Sequence, residues 1–226
     1  MRADFPQGCE AVVVLCGIAK RAKYLLSNIS ITQGIERLRR EFPRQARIEA
    51  AEIAARTAYR IVLQAWLENG AAPQPHIIPL HCLNKLVELD ALVVTESGLG
   101  CYPFSAVETG ISVEYGSHRV NAMCAIDALA IPFLANTAAT IIATCSICDL
   151  PVTVHADASG QITRNVPAGV QVAYRKLSQE HVACCNDLCP GIVFVCAECA
   201  AATGERGMNV AEAAAVGRQF FGFQRK

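Results

Sequence analysis

Asn121-Ala-Met-Cys124-Ala-Ile-Asp127-Ala-Leu-Ala-Ile-Pro132 is the stretch on which the reading of this chain turns. Cys124 and Asp127 stand three residues apart in an apolar, alanine-rich run. A helix advances about 100° per residue, so positions i and i+3 share a face. A thiol and a carboxyl inside one helix would then point into the same pocket. Such a pair can bind a soft metal through sulfur and move a proton beside it. Alone, the spacing reads more readily as a buried thiol with a nearby capping carboxyl, because free cysteine is among the most buried residue types. The pair Cys184-Cys185 further along tips the reading toward chemistry.

The chain has 226 residues, of which 53% are hydrophobic and 18% charged, enough to bury a sizeable core in one large domain or two small ones. Its formal net charge is zero, which gives no global attraction to nucleic acid or anionic membrane. The apolar run Ala11–Ile18 follows Asp4 and Glu10 rather than a basic segment, unlike a secretory signal. Residues 128–143 are greasy, but Pro132 and Asn136 interrupt them short of the ~20 residues that span a bilayer. The expectation is a soluble cytoplasmic protein with reduced thiols. There, twelve cysteines point to metal or catalysis before disulfides.

Three regions are expected: a helical extension over 1–45, a winged-helix-like region over 46–118, and a domain over 119–226. Ile35, Leu38 and Phe42 recur at helical spacing before Pro43. Ile48–Leu67 continues as helix, with Ile53, Ala54, Ala58, Ile61, Val62, Ala65 and Trp66 expected on the inner face. Asn69-Gly70 ends it. Leu80–Leu89 reads as a second helix with Leu80, Leu83, Leu86 and Val87 inward, and the runs either side of Glu96-Ser97-Gly98 read as a hairpin. Helix, helix, hairpin is the order of a winged helix. Yet the helix that would read a groove offers only Asn84 and Lys85, where base readout needs a face of donors and cations. The arginines at 37, 39, 40, 44 and 47 read as the solvated face of a lid, and no nucleic-acid partner is expected.

Beyond Gly116 the pattern is α+β on a small, largely antiparallel sheet. Strands are expected at Ile141–Ala143, Val152–Val154, Val170–Arg175 and Ile192–Val195, and a closing helix at Ala211–Phe220. Cys145-x-x-Cys148 and Cys196-x-x-Cys199 are two knuckle-like pairs whose four thiols suit a structural zinc. The 47 residues between the pairs exceed the usual spacing, so they read equally as ordinary reduced thiols. Cys189, before Pro190, is a further metal-ligand candidate.

In order, these motifs resemble the organomercurial (alkylmercury) lyase family. Met123-Cys124-Ala-Ile-Asp127-Ala-Leu-Ala-Ile-Pro132 is similar to the family's first active-site helix. Cys145 with Pro151 resembles its cysteine-bearing hairpin. Cys184-Cys185-Asn186 and the apolar strand through Phe194 resemble the second active-site segment, and Asn209–Arg218 the final helix. Tyr102-Pro103-Phe104-Ser105 also fits, so the likeness covers roughly residues 50–226.

The resemblance implies protonolytic cleavage of a carbon–mercury bond, giving a hydrocarbon and Hg(II) held by paired cysteines. It implies Cys124, Asp127 and Cys184 as the catalytic three, with Cys124, Cys184 and Cys185 meeting mercury. No cofactor is required, and Hg(II) would pass to a mercuric reductase or to small thiols, with no membrane partner. The alternative is a thiol-based zinc, copper or mercury carrier on the same scaffold, without lyase activity.

Overall fold

Ser30 opens the described chain as a reciprocal cap: its hydroxyl accepts from the Gln33 N–H while the Gln33 side chain accepts from the Ser30 N–H. The computed structural model describes residues 30–174, 183–203 and 207–225. The expectations for residues 1–29 lie outside them. Helix α1, Ile31–Glu41, buries Ile35 and Leu38. The short α2, Arg44–Glu49, follows Pro43.

Helix α3, Ile53–Asn69, turns a different face inward from the one expected. Ala55, Ala58, Tyr59, Val62, Leu63 and Trp66 are buried, while Ile53 and Ile61 are 73% and 44% exposed. The buried set follows the i, i+3, i+4, i+7 rule, and the apolar residues flanking it made the rotation ambiguous. Trp66 decides it, donating from Nε1 to the Leu99 carbonyl at 2.8 Å and stacking on Phe104 at 5.3 Å. Gly70 caps the helix at φ 60°. A Cβ there would also lie 2.5 Å from the His118 side chain.

Helix α4, Leu80–Glu88, buries Cys82, Leu83 and Leu86. Leu80 and Val87, expected inward, are 69% and 42% exposed. Lys85 is paired with Glu88 at 3.0 Å on the solvent side.

The hairpin of β1 (Leu92–Thr95) and β2 (Gly98–Cys101) pairs onward through β3 (Phe104–Ser105). It joins β4 (Ser112–Tyr115), β5 (His118–Ala122), β6 (Ala139–Thr144), β7 (Pro151–Ala156) and β8 (Ile162–Val166). Together they form one antiparallel sheet in the order β1-β2-β3-β5-β4-β6-β7-β8. Thr163, Arg164 and Asn165 make β8 a polar edge strand, which is why alternation did not reveal it. A second antiparallel sheet, β10-β9-β11, joins Ile192–Val195, Gln171–Tyr174 and Met208–Asn209.

Helix α5, Ala125–Ala135, is apolar except for Asp127 in its first turn and buried on nearly every side, as its position demands. It packs on β4, β5, β6, β10 and the last helix. Ile126, Leu129 and Ile131 are each at most 1% exposed, and each contributes roughly 1.5–3 kcal/mol by burial. Helix α6, Ala197–Thr203, follows β10, and α7, Val210–Phe221, closes against α5. A Cβ on Gly217 would lie 3.0 Å from the Ile126 carbonyl, tight enough that a larger residue would press the two helices apart by a few tenths of an ångström. No helix among the described residues is long and apolar enough to cross a membrane.

Candidate active site

Cys124 is the N-cap of α5, not a residue within it. Its backbone is extended, φ −157° and ψ −179°, and its sulfur accepts from the Asp127 N–H at 3.4 Å. The cap still brings thiol and carboxyl together, because an N-cap side chain folds back over the N3 residue. Both are nearly sealed from solvent, 3% and 5% exposed.

The second segment reaches the same spot by a different route. Cys184–Asn186 and Cys189–Gly191 form two single 3-10 turns ahead of β10. They place the Cys184 and Cys189 sulfurs 3.5 Å apart, and Cys189 Sγ 3.8 Å from Asp127 Oδ2. The ligating atoms of Cys124, Asp127 and Cys189 all lie within 4.8 Å of one another. A sulfur–sulfur distance of 3.5 Å is far beyond the ~2.05 Å of a disulfide, so these are thiols. Leu38, Phe42, Tyr102, Ile126, Leu188, Ile192, Phe220 and Phe221 close the remaining walls. The cavity left among them is about 10 Å³, room to centre one water.

Burial sets the proton inventory. It pushes the Cys124 thiol up to about 12. Cys189 rises well above the usual thiol range, first through its contacts with Cys124 and Cys184 and then through burial. Burial also lifts Asp127 from 3.8 to about 6, against the opposing pull of the Cys124 thiol and the Arg44 charge. The pocket therefore holds protonated sulfur next to a carboxyl that changes state near neutrality.

A family model for alkylmercury lyase (MerB) matches residues 104–222, more than half of the chain. The chain belongs to the alkylmercury lyase family. Its fold is similar to the crystal structure of the mercury-bound form of MerB2, with a TM-score of 0.64 and 15% identity. That likeness covers 84% of this chain and 99% of the other. No curated protein matches it.

Within this family member, sequence reasoning did not reach the site roles of Cys189, Asp90, Tyr102 and Arg44. Cys189 was singled out only as a general metal ligand, yet it stands between Cys184 and Asp127. Asp90 accepts from the Cys184 N–H through Oδ2 at 2.8 Å and from the Tyr102 hydroxyl through Oδ1 at 3.2 Å. The Tyr102 hydroxyl in turn accepts from the Cys185 N–H at 2.9 Å. These bonds fix the two-cysteine turn from the opposite half of the chain. Burial raises Asp90, which its hydrogen bonds oppose. No local signal marks either residue as a partner, since the pairs are 94 and 83 positions apart.

Arg44 overturns the reading of its arginine run as a solvated face. Arg39, Arg40 and Arg47 are exposed, but Arg44 is fully buried. Its guanidinium nitrogens have no hydrogen-bond partner among the described residues. It sits instead among the rings of Phe42, Tyr102, Phe220, Phe221 and Phe223, closest to Phe221 at 4.5 Å. Ring faces attract a desolvated cation, which offsets part of its burial cost.

Cys185 is half-buried beside Cys184, with its sulfur 3.6 Å from the Asn186 side-chain oxygen. Cys145, Cys148, Cys196 and Cys199 form a separate group, all four sulfurs within 4.8 Å of one another.

Proposed function

We propose that the chain cleaves the carbon–mercury bond of organomercurials by protonolysis, with Cys124, Cys184 and Asp127 as catalytic residues and Cys189 as a proton relay. The observation that carries this is the sealed meeting of three thiols with one carboxyl that titrates near pH 6, in a member of the alkylmercury lyase family.

An incoming R–Hg–SR′ exchanges its small thiolate for one protein sulfur, Cys124 or Cys184, and R′SH leaves with that cysteine's proton. The second cysteine gives its proton to the Asp127 carboxylate and adds to mercury. Cys189 can pass that proton on, because its thiol touches both the Cys184 sulfur and Asp127 Oδ2. Mercury favours thiolate ligands, and a second one pushes electron density toward the bound carbon. The protonated Asp127 then delivers its proton to that carbon. The carbon–mercury electron pair becomes the carbon–hydrogen bond, R–H departs, and neutral Hg(II) bis-thiolate remains. Atoms and electrons balance without a cofactor. Hg(II) then leaves by exchange with small thiols or a mercuric reductase, and Cys185, at the rim, is the first sulfur on that route.

The cavity is smaller than an alkylmercury cation, so walls must part on binding. Leu38 and Phe42 come from the amino-terminal region outside the family match, and they tune the size of the organic group admitted. The test is to incubate reduced protein with methyl- or phenylmercury and measure hydrocarbon by gas chromatography. Release lost in both Cys124→Ser and Cys184→Ser supports the reading. Mercury uptake without hydrocarbon favours the carrier alternative.

A further inference from the structure

We propose that Cys145, Cys148, Cys196 and Cys199 hold one structural zinc ion per chain, which staples the two sheets together behind the active site. The four residues come from two corners that sequence separates widely. Cys145 and Cys148 lie in the turn between β6 and β7, in the eight-stranded sheet. Cys196 directly follows β10 of the three-stranded sheet, and Cys199 lies in the first turn of α6. Their sulfurs all lie within 4.8 Å of one another, and Cys148 and Cys196 are 3.8 Å apart. Zinc–thiolate bonds of about 2.3 Å in a tetrahedron require sulfur–sulfur edges of about 3.8 Å. That is too long for a disulfide and matches the spacing around one ion.

The backbone is arranged as a metal knuckle. The Cys145 N–H donates to the Leu150 carbonyl at 2.8 Å and the Asp149 N–H to the Cys145 carbonyl at 2.9 Å, with Asp149 at φ 60°. This leaves the Cys145 sulfur facing backbone donors, among them the Cys196 N–H at 3.4 Å from the other corner. Such donors steady a thiolate ligand from outside the coordination sphere. The Ser146 N–H bonds the Phe194 carbonyl at 3.0 Å, which locks the knuckle to β10. Ala173, Val195 and Ala200 pack around the sulfurs as a small satellite core separate from the main one. Cys148 reaches the surface, giving the ion an entry path.

Four thiolates fill zinc's tetrahedral preference and leave no position open for substrate, so the role is structural. It still bears on the active site. β10 is four residues, roughly 13 Å, from the Cys189–Gly191 turn at one end to Cys196 at the other. Fixing Cys196 therefore fixes the strand that presents Cys189 and Cys184. The metal claim does not depend on the carbon–mercury chemistry and is read without it.

The full chain is purified from zinc-supplemented culture without chelator, and metal is quantified by mass spectrometry. About one zinc per chain is expected in the wild type and in Cys124→Ser and Cys184→Ser. At least a tenfold loss is expected in Cys148→Ser and Cys199→Ser. Because those variants can lose folded protein with the metal, wild type is also reconstituted with Co(II). The sulfur-to-metal charge-transfer and visible bands of a tetrahedral four-thiolate site are expected. Zinc well below one equivalent together with no such cobalt spectrum overturns the proposal. So does zinc that survives Cys148→Ser and Cys199→Ser but is lost with Cys124→Ser.

Discussion

Asp127→Asn should abolish hydrocarbon release while making the protein more stable at alkaline pH. Asp127 is held at about 6 by burial, against 3.8 for an unburied carboxyl. Raising a folded-state value means the folded protein binds the proton more tightly than the unfolded chain. The stability associated with the neutral carboxyl is present in full below about pH 4 and is lost as pH rises through 6. At about 1.4 kcal/mol per pH unit, the gap costs the folded state roughly 3 kcal/mol above pH 7. Asparagine keeps the size and removes that cost. Its amide finds only weak sulfur partners, a loss of about 1 kcal/mol at every pH. The variant should therefore be about 1 kcal/mol less stable at pH 4 and about 2 kcal/mol more stable at pH 8. Urea unfolding of both proteins under reductant at the two pH values measures the difference, and the other carboxylates cancel in the comparison. A change of less than about 1 kcal/mol between pH 4 and pH 8 would refute the buried, strained carboxyl. A variant that still releases hydrocarbon at the wild-type rate would remove Asp127 from the chemistry.

Serine is a better N-cap than cysteine, so Cys124→Ser should keep or slightly raise the melting temperature while hydrocarbon release disappears; a melting temperature several degrees lower would show that the sulfur packs rather than caps. Cys189→Ala should slow single-turnover release at least tenfold and Cys189→Ser should restore part of it, since a hydroxyl can still pass a proton; equal rates in both would end the relay. Tyr102→Phe removes the acceptor of the Cys185 N–H and a donor to Asp90, and should cost roughly 1–3 kcal/mol in urea unfolding and lower kcat. Arg44→Met should be no less stable than wild type, because it exchanges an unpaired buried charge for a flexible apolar chain. The same change should shift the Asp127 titration, read from the pH profile of hydrocarbon release, to higher pH, since the Arg44 charge now holds it down; a downward shift would contradict the assignment.

Much of this molecule could be read from local sequence. The ends of α3 and α7 follow from Gly70 and from the Asn209–Glu212 capping box, whose chemistry is short-range. The Cys124–Asp127 partnership was legible from its spacing, although as a cap rather than as one helical turn. Ile53, Ile61, Leu80 and Val87 were placed inward because apolar residues flank the true stripes, and only tertiary contacts such as Trp66 on Phe104 fix the rotation. Cys189 stood out only as a further metal-ligand candidate, because its place beside Cys184 and Asp127 depends on two 3-10 turns that have no strong pattern. Asp90, Tyr102 and Arg44 carry their roles through contacts with distant chain, where periodicity has nothing to say. The four-cysteine cluster shows the same limit: each C-x-x-C was visible, but their meeting depends on how β6 and β10 are brought side by side.

The most direct measurement of the central claim is a single turnover with phenylmercury in D2O, with the benzene analysed by mass spectrometry and the mercury counted on the protein. Protonolysis through Asp127 predicts one deuterium in each benzene and one Hg(II) left per chain on protein sulfur. Benzene without deuterium, or phenylmercury retained intact on the thiols, would contradict it.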